Sequence, residues 1–523
     1  MSLSARPAES AGEEISPARD VCPAPGARLS ARRLTRRFGP LVAVEDVDIS
    51  LPAGCLLSVF GPNGAGKTTL LKMLSLLSRP TAGRIWVDGE EAVRGAAARM
   101  LRRRMGFLSH QPLLYGHLSS RENLLFYGRL YGVRRVRERA EEVLAFVGLA
   151  DRADDSVRGF SRGMAQRASI ARALIHDPDI LFLDEPFAGL DRPGARMLMD
   201  TLGRLRDEGK TLVLTTHHLE IGLALGDEVV ILDRGKVRFA SARSGVDAEG
   251  FADLYESHTT GEGGGGGKRR RTVAVDGMRG TREGPRRTGS ADAAAGGLRE
   301  YFTHAAVILW KDLLAEHRSR EAIVTMAVFA LLVMVLFNFA FELGEGWKAS
   351  VGSGILWTAF LFSSVLGMNR AFAMEKEGEC IQGILLSPAD RGSVFLGKLA
   401  GNLVFLWIVE AVSLPVFGVL YDFPLDRLFL VLGPVVILAT IGLATVGTLF
   451  ASIAVNTKAR EVMLPLLLFP VAIPMVIGAA GATTGILAGG SLADQAVWYR
   501  LLGVYDVVFL VISIWVVDYA LEE

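Results

Sequence analysis

The chain is poor in the residues that build cross-links and metal centres. Its three cysteines, Cys22, Cys55 and Cys380, are scattered over 523 residues and form no C-x-x-C pair. That spacing excludes a disulfide scaffold, a thiolate zinc site and covalent haem attachment. Net charge is nearly absent too. Lys and Arg total 57 against 56 Asp and Glu, a balance of +1, so no global electrostatic case for a nucleic-acid partner exists. The eight histidines (110, 117, 176, 217, 218, 258, 304 and 317) all avoid the long apolar runs. Residues 1–28 are rich in Ala, Glu and Pro and lack the apolar core of a signal peptide, so a disordered tail is expected there. What the chain has in excess is apolar residues, half of the total at a mean hydropathy of +0.32. They are unevenly spread. Residues 29–240 read as a soluble α/β domain, and 322–521 carry most of the long apolar runs.

The stretch Gly61-Pro62-Asn63-Gly64-Ala65-Gly66-Lys67-Thr68-Thr69 has the G-x-x-x-x-G-K-T form of a phosphate-binding loop. Its glycines let the backbone curl so that several N–H groups face one anion. Lys67 adds a mobile charge for the β- and γ-phosphates of a nucleotide, and the Thr68 hydroxyl suits Mg2+. A buried-strand run, Leu56–Phe60, precedes the loop, and a helical run follows from Thr69, so the phosphate meets a helix N-terminus.

Further along, the apolar strand Ile180–Leu183 ends in Asp184-Glu185. Adjacent carboxylates at the end of a buried strand are costly without a cation or a water chain. Asp184 is expected to hold Mg2+ through water, and Glu185 to polarise the attacking water. Ser161 and Gly163 open a helical run at 164–176, a second helix-end anion site. Another β-rich run, Thr211–Thr216, ends at His217, with His218 expected to be merely exposed.

Taken in order, these elements resemble the ATP-binding cassette (ABC) ATPases over residues 29–240. The phosphate loop is followed by Gln111, by Phe160-Ser161-Arg162-Gly163-Met164 in place of the usual L-S-G-G-Q, by Asp184-Glu185, by Gly189-Leu190-Asp191 and by His217. The resemblance implies that Phe38 stacks on adenine, although a core or edge-strand phenylalanine is the alternative. It implies that Gln111 touches Mg2+ and faces the membrane partner, and that His217 contacts the γ-phosphate. Ser161, Arg162, Gly163 and Met164 would cap the γ-phosphate bound by a second copy, with Asp191 at the subunit contact. Arg162 and Met164 depart from the generic signature, which puts the turnover rate in doubt. The expected fold is therefore an α/β phosphate-loop ABC ATPase domain joined by a disordered linker to an all-α six-helix transmembrane domain of ABC-2 exporter type.

Residues 241–300 are expected to be that linker. Gly261–Gly267 is nearly pure glycine, and Lys268, Arg269, Arg270, Arg271, Arg279, Arg282, Arg286 and Arg287 follow. Such a stretch buries too little apolar surface to fold. It serves as a solvated tether or as a basic patch near anionic lipid. In 301–523, six segments near 322–343, 351–369, 394–420, 428–454, 462–483 and 500–521 are long enough to span a bilayer. Lys and Arg favour loops 302–321, 370–398 and 455–461, which places both termini and the ATPase in the cytoplasm. Tyr301–Arg320 reads as an amphipathic helix along the inner surface. The segment 374–388 is expected to dock on the ATPase as a coupling helix. Glu410, deep in the third span, is either functional or a neutral acid bonded to a neighbouring helix. Pro465, Pro470 and Pro474 are expected to kink or break the fifth span.

Two local patterns narrow the resemblance. Phe160–Leu174 with His176-Asp177-Pro178 is similar to the ATPase subunit of the cytochrome c maturation haem exporter. Lys311-Asp312-Leu313, Arg318–Glu321 and Glu375…Ile384-Leu385-Leu386-Ser387-Pro388 are similar to its six-span permease subunit, normally a separate chain. The resemblance implies a homodimer in a bacterial inner membrane. It also implies a haem-handling membrane protein and a periplasmic haem chaperone as partners, with haem as a possible substrate. An exporter of a drug, lipid or glycan is the alternative.

Overall fold

The computed structural model describes residues 26–93, 95–247, 249–259, 273–274, 293–341, 345–423, 431–454, 460–491 and 493–520. The expected tail up to residue 25 and the glycine–arginine tract lie outside these.

The N-terminal half is built on two sheets. Strands β1 (Ala27–Phe38) and β2 (Leu41–Pro52) form a hairpin, to which β4 (Ala82–Val87) and β5 (Glu90–Glu91) add antiparallel. The second sheet runs β10-β9-β3-β8-β7-β6, from β3 (Leu56–Phe60), β6 (Met105–Leu108), β7 (Ile180–Asp184), β8 (Thr211–Thr215), β9 (Glu228–Asp233) and β10 (Lys236–Ala242). All pairs there are parallel except β9 with β10. Every residue of β3, β7 and β8 is buried, because parallel strands are covered on both faces. The covering helices are α1 (Lys67–Leu74), α2 (Ala96–Arg102), α3 (Ser120–Leu130), α4 (Val136–Phe146), α5 (Arg162–Leu174), α6 (Arg192–Asp207) and α7 (Leu219–Leu225).

This domain does not stop at residue 240. Helix α8 (Phe251–Thr259) follows, with Phe251 buried and its ring edge-on to Phe60 at 5.1 Å. One buried aromatic is enough to fix a polar helix to the sheet, so the expected linker loses its first part. Two further residues, β11 (Val273–Ala274), pair in parallel with β2.

In the C-terminal half, α9 (Ala293–Ser319) starts earlier than expected and leads into α10 (Glu321–Ala340), α11 (Glu345–Lys376), α12 (Cys380–Leu386), α13 (Arg391–Tyr421), α14 (Gly433–Ala454), α15 (Arg460–Leu487) and α16 (Ala496–Ala520). Among the described residues, six helical segments, 321–340, 349–386, 391–421, 433–454, 462–487 and 493–517, are long and apolar enough to cross a membrane. The fifth is not broken: α15 runs through Pro465, Pro470 and Pro474 as one helix. Neighbouring helices and local adjustments accommodate the missing donors in an apolar bundle. Glu410 is buried and hydrogen-bonded to Thr440 Oγ1 at 2.6 Å, which matches the expected bond to a neighbouring helix.

The halves meet through α9, α11, α12 and α13. After α11, Gly378 (φ 65) and Glu379 (φ 57) both adopt left-handed backbone and turn the chain into α12. Cys380 and Ile384 then sink fully into the helical core of the N-terminal half. A Cβ at Gly383 would lie 2.4 Å from the Tyr127 hydroxyl, so only glycine allows this approach. Polar contacts surround the plug. Arg99 pairs with Asp390 at 2.6 Å, Arg318 with Glu122 at 2.6 Å, and the Arg129 guanidinium lies 4.4 Å over the Trp310 ring. Helix α9 is thus no surface float. Its Lys311 is fully buried among protein groups rather than solvated.

Candidate functional site

The phosphate loop sits where β3 gives way to α1. Gly66 is the residue before α1 and takes φ 100. A side chain there would strike the Ala43 carbonyl at 2.3 Å, so β2 presses directly on the loop. Lys67 is buried, donates to the carbonyl of Gly61 at 2.7 Å, and stands 3.7 Å from Glu185 Oε1. Neighbouring strand ends supply the acids. Asp184, at the end of β7, accepts from Thr68 Oγ1 at 2.8 Å on one oxygen and from Thr215 Oγ1 at 2.7 Å on the other. This oxygen-only donor set fits a hard divalent cation such as Mg2+.

Glu185 adopts φ 49, a left-handed conformation that strains a non-glycine residue. Its N–H is held by the Thr215 carbonyl at 3.1 Å, and its Oε2 lies 2.8 Å from His217 Nδ1. The strained backbone turns the carboxylate out of the strand and toward Lys67 and His217. Lys67, Thr68, Asp184, Glu185 and His217 therefore converge, as their positions at strand ends require. Thr215, which orients both acids, was missed by sequence reading. Its place two residues before His217 on β8 is the signal that marked it.

Gln111 lies beyond the end of β6 and lines a cavity of about 300 Å3 with His110, Arg162, Gln166 and Glu185. Ser161 caps α5 and accepts from the Met164 N–H at 3.3 Å, so the helix starts two residues before the expected 164. Arg162 lies flat against Gly189, where a Cβ would approach its Cζ to 2.3 Å. Gln166 donates to the Pro186 carbonyl at 2.9 Å. The signature helix and the 186–191 loop are therefore one packed unit. Asp191 Oδ1 caps α6 by accepting from Gly194 N at 2.9 Å. Phe38 is 47% exposed at the hairpin tip with the Arg36 guanidinium 4.6 Å over its ring, so it is not a core residue. His218 is exposed and stacks loosely on His217, 4.1 Å between centroids.

This arrangement of strand-end acids, phosphate loop and capped helix has counterparts among known proteins. Residues 44–188 match the ABC transporter family model. A daunorubicin resistance ATP-binding protein, DrrA3, of Streptomyces coeruleorubidus is 42% identical over 229 residues, spanning 43% of this chain and 69% of the relative. The ABC transporter ATP-binding protein NatA of Bacillus subtilis (strain 168) is 38% identical over 230 residues, 43% of this chain and 89% of the relative. The chain belongs to the ABC transporter family. As such, its N-terminal domain binds and hydrolyses ATP. Residues 303–523 match the CcmB protein family, so this ABC transporter is an ATPase–permease fusion of the Ccm haem exporter type and a multi-pass membrane protein. Among solved structures, a dimeric ATP-binding cassette in a post-hydrolysis state with ADP and Pi is 27% identical, covering 42% of this chain and all of that one, with a TM-score of 0.39.

Proposed function

We propose that this transporter uses ATP hydrolysis to drive cytochrome c maturation, through haem delivery or release of a haem-loaded periplasmic chaperone. One observation carries the reading: a single chain holds an ABC ATPase match and a CcmB match together.

Each residue then has a role. The backbone of Gly61–Thr69 and the Lys67 ammonium cradle the β- and γ-phosphates, and Phe38 offers its exposed face to adenine. Thr68 and Asp184 hold Mg2+, partly through water, with Gln111 beside it. The bound cation neutralises charge on the phosphate oxygens. Glu185 orients and deprotonates the attacking water, and His217 fixes Glu185 and meets the γ-phosphate. Two copies pair so that Ser161, Arg162, Gly163 and Met164 of one cap the nucleotide of the other, with Asp191 at the contact. Both termini and the ATPase domain are cytoplasmic, and the membrane is the bacterial inner membrane. The docking of α12 into the ATPase domain supports this, since it puts the Lys- and Arg-rich 370–398 segment on the ATPase side.

Among the described residues, no histidine lies in the six apolar helices. Axial haem ligation by histidine is thus assigned to a partner, a haem-handling membrane protein, while this chain supplies force. Stoichiometric haem ligated by the spans of the purified chain alone would contradict that division.

A second reading, export of another substrate, is favoured by the relatives. They include a daunorubicin resistance protein and, at 37% identity, a Nod factor export ATP-binding protein of Cupriavidus metallidurans. Deleting the gene separates the two readings. Loss of covalent haem staining in c-type cytochromes supports maturation; normal cytochromes with a lost exported product support the other.

A further inference from the structure

The residues that follow Gln111 are tied down one after another. The Pro112 carbonyl lies 3.0 Å from Ser169 Oγ on the signature helix α5. Leu113, in left-handed backbone at φ 53, gives its carbonyl to the Tyr127 hydroxyl at 2.8 Å and its N–H to the Gly378 carbonyl of the permease at 3.1 Å. Tyr115 is clamped by Asn123, which accepts its N–H at 2.8 Å and donates to its carbonyl at 3.1 Å. The Tyr115 hydroxyl then donates to Glu375 Oε2 at 2.6 Å. Four residues of irregular chain, spanning at most about 14 Å, thus join Gln111 to a carboxylate of the permease.

That carboxylate is itself immobilised. Glu375 Oε1 accepts from Lys311 and from Lys398, the latter at 2.5 Å. Asp312 Oδ1 takes the same two ammonium groups at 2.5 and 3.0 Å. The side chains of Lys311 and Glu375 are fully buried, and Lys398 is 2% exposed. Two positive and two negative groups, drawn from α9, α11 and α13, form a neutral cluster. Both lysines crowd Oε1, which leaves Oε2 as the acceptor for a donor arriving from the ATPase domain. Lys311 Nζ also lies 4.3 Å over the Tyr115 ring. Burial, with Glu375 close by, pushes the Tyr115 phenol well above its ordinary range, so it keeps its proton and stays a donor.

We propose that Tyr115 is a positioning residue for ATP hydrolysis, through whose hydroxyl the α9–α11–α13 charge cluster fixes the place of Gln111. The proposal rests on the reading that Gln111 serves the nucleotide. It makes the permease a determinant of turnover rather than a passive load. A shift of Glu375 with its helix moves Tyr115, and the short clamped segment passes the shift to Gln111 and to α5.

The test uses the full-length chain in lipid nanodiscs, with steady-state ATP hydrolysis and thermal melting. Tyr115→Phe keeps the ring over Lys311 and removes only the hydroxyl. It is expected to lower kcat about ten- to a hundredfold with KM for ATP unchanged, the mark of lost positioning. A charge-balanced variant, Glu375→Leu with Lys398→Met, removes the acceptor of the Tyr115 hydroxyl while keeping the cluster neutral, and is expected to lower kcat by the same factor as Tyr115→Phe; a wild-type kcat in it would overturn the proposal. A Tyr115→Phe protein that melts earlier yet turns over at the wild-type rate would overturn the proposal and leave a structural bond only. Gln111→Ala, run beside it, separates the failures. Normal turnover in Gln111→Ala overturns the role of Gln111 and this proposal with it. Slow Gln111→Ala with normal Tyr115→Phe overturns this proposal alone.

Discussion

Lys67 stands 3.7 Å from Glu185 at the phosphate loop, and Lys398 stands 2.5 Å from Glu375 at the junction of the two halves. The same pair of side chains does different work in the two places. At the phosphate loop the acids are oriented but not saturated. Glu185 touches Lys67 at the outer limit of an ion pair and shares its other oxygen with an exposed histidine. The site is arranged to be completed by a polyanion and a cation. At the junction, each charge already has its opposite, and no side chain of the cluster is more than 10% exposed. Chemistry needs the first kind of arrangement. The second suits a joint, because a buried neutral cluster tolerates no vacancy and so holds three helices in one register.

The contrast breaks most sharply at Glu185. Glu185→Gln is expected to cut kcat about 10^2–10^4-fold by removing the base, while nucleotide binding, measured with a fluorescent ATP analogue, persists. At the junction the same type of change acts on stability. Glu375→Gln leaves a surplus buried positive charge and is expected to cost about 3–5 kcal/mol in a denaturation series. Adding Lys311→Met to it restores neutrality and recovers most of that loss. A smaller effect belongs to Asp191. As the cap of α6 it is worth about 1 kcal/mol, so Asp191→Ala lowers the melting temperature of the separate chain modestly. If it also halves the ATP-dependent dimer population, its second role at the contact is confirmed.

A further effect is a pH dependence at His176, which follows α5 and bonds to the Met105 carbonyl at the start of β6. Burial lowers its pKa to about 4, and its ring stacks on Tyr131 at 3.7 Å. The folded chain therefore refuses a proton that the unfolded chain takes at its ordinary value near 6.5. Its contribution is intact above that value and is lost as pH falls from about 6.5 toward 4. Melting curves at falling pH are expected to drop more steeply for wild type than for His176→Gln.

The two sites also differ in how far the sequence displayed them. The phosphate site is made of short contiguous runs at strand ends, Gly61–Thr69, Asp184-Glu185 and His217, so spacing alone located it. The sheet that gathers them was legible from fully apolar strands. The junction is made of single charges at 311, 312, 375 and 398 with a tyrosine at 115. In sequence, Lys311 and Lys398 read as solvated residues that orient the membrane domain, because nothing local distinguishes a buried lysine from a cytoplasmic one. The segment 374–388 was expected to dock on the ATPase, but the residues it meets there, Tyr127 and Leu113, were not visible in the sequence. Boundaries failed where one residue decided them. Phe251 carries a helix past the expected end of the ATPase domain, and α15 absorbs three prolines because its neighbours hold it in place.

The central claim is that hydrolysis at Glu185 drives cytochrome c maturation. Its most direct test compares wild type with Glu185→Gln in cells deleted for the gene, staining covalent haem in c-type cytochromes and haem held by the periplasmic chaperone. The account predicts that the variant loses mature cytochromes while haem-loaded chaperone accumulates. Normal cytochromes in the Glu185→Gln cells would contradict it and give first place to export of another substrate.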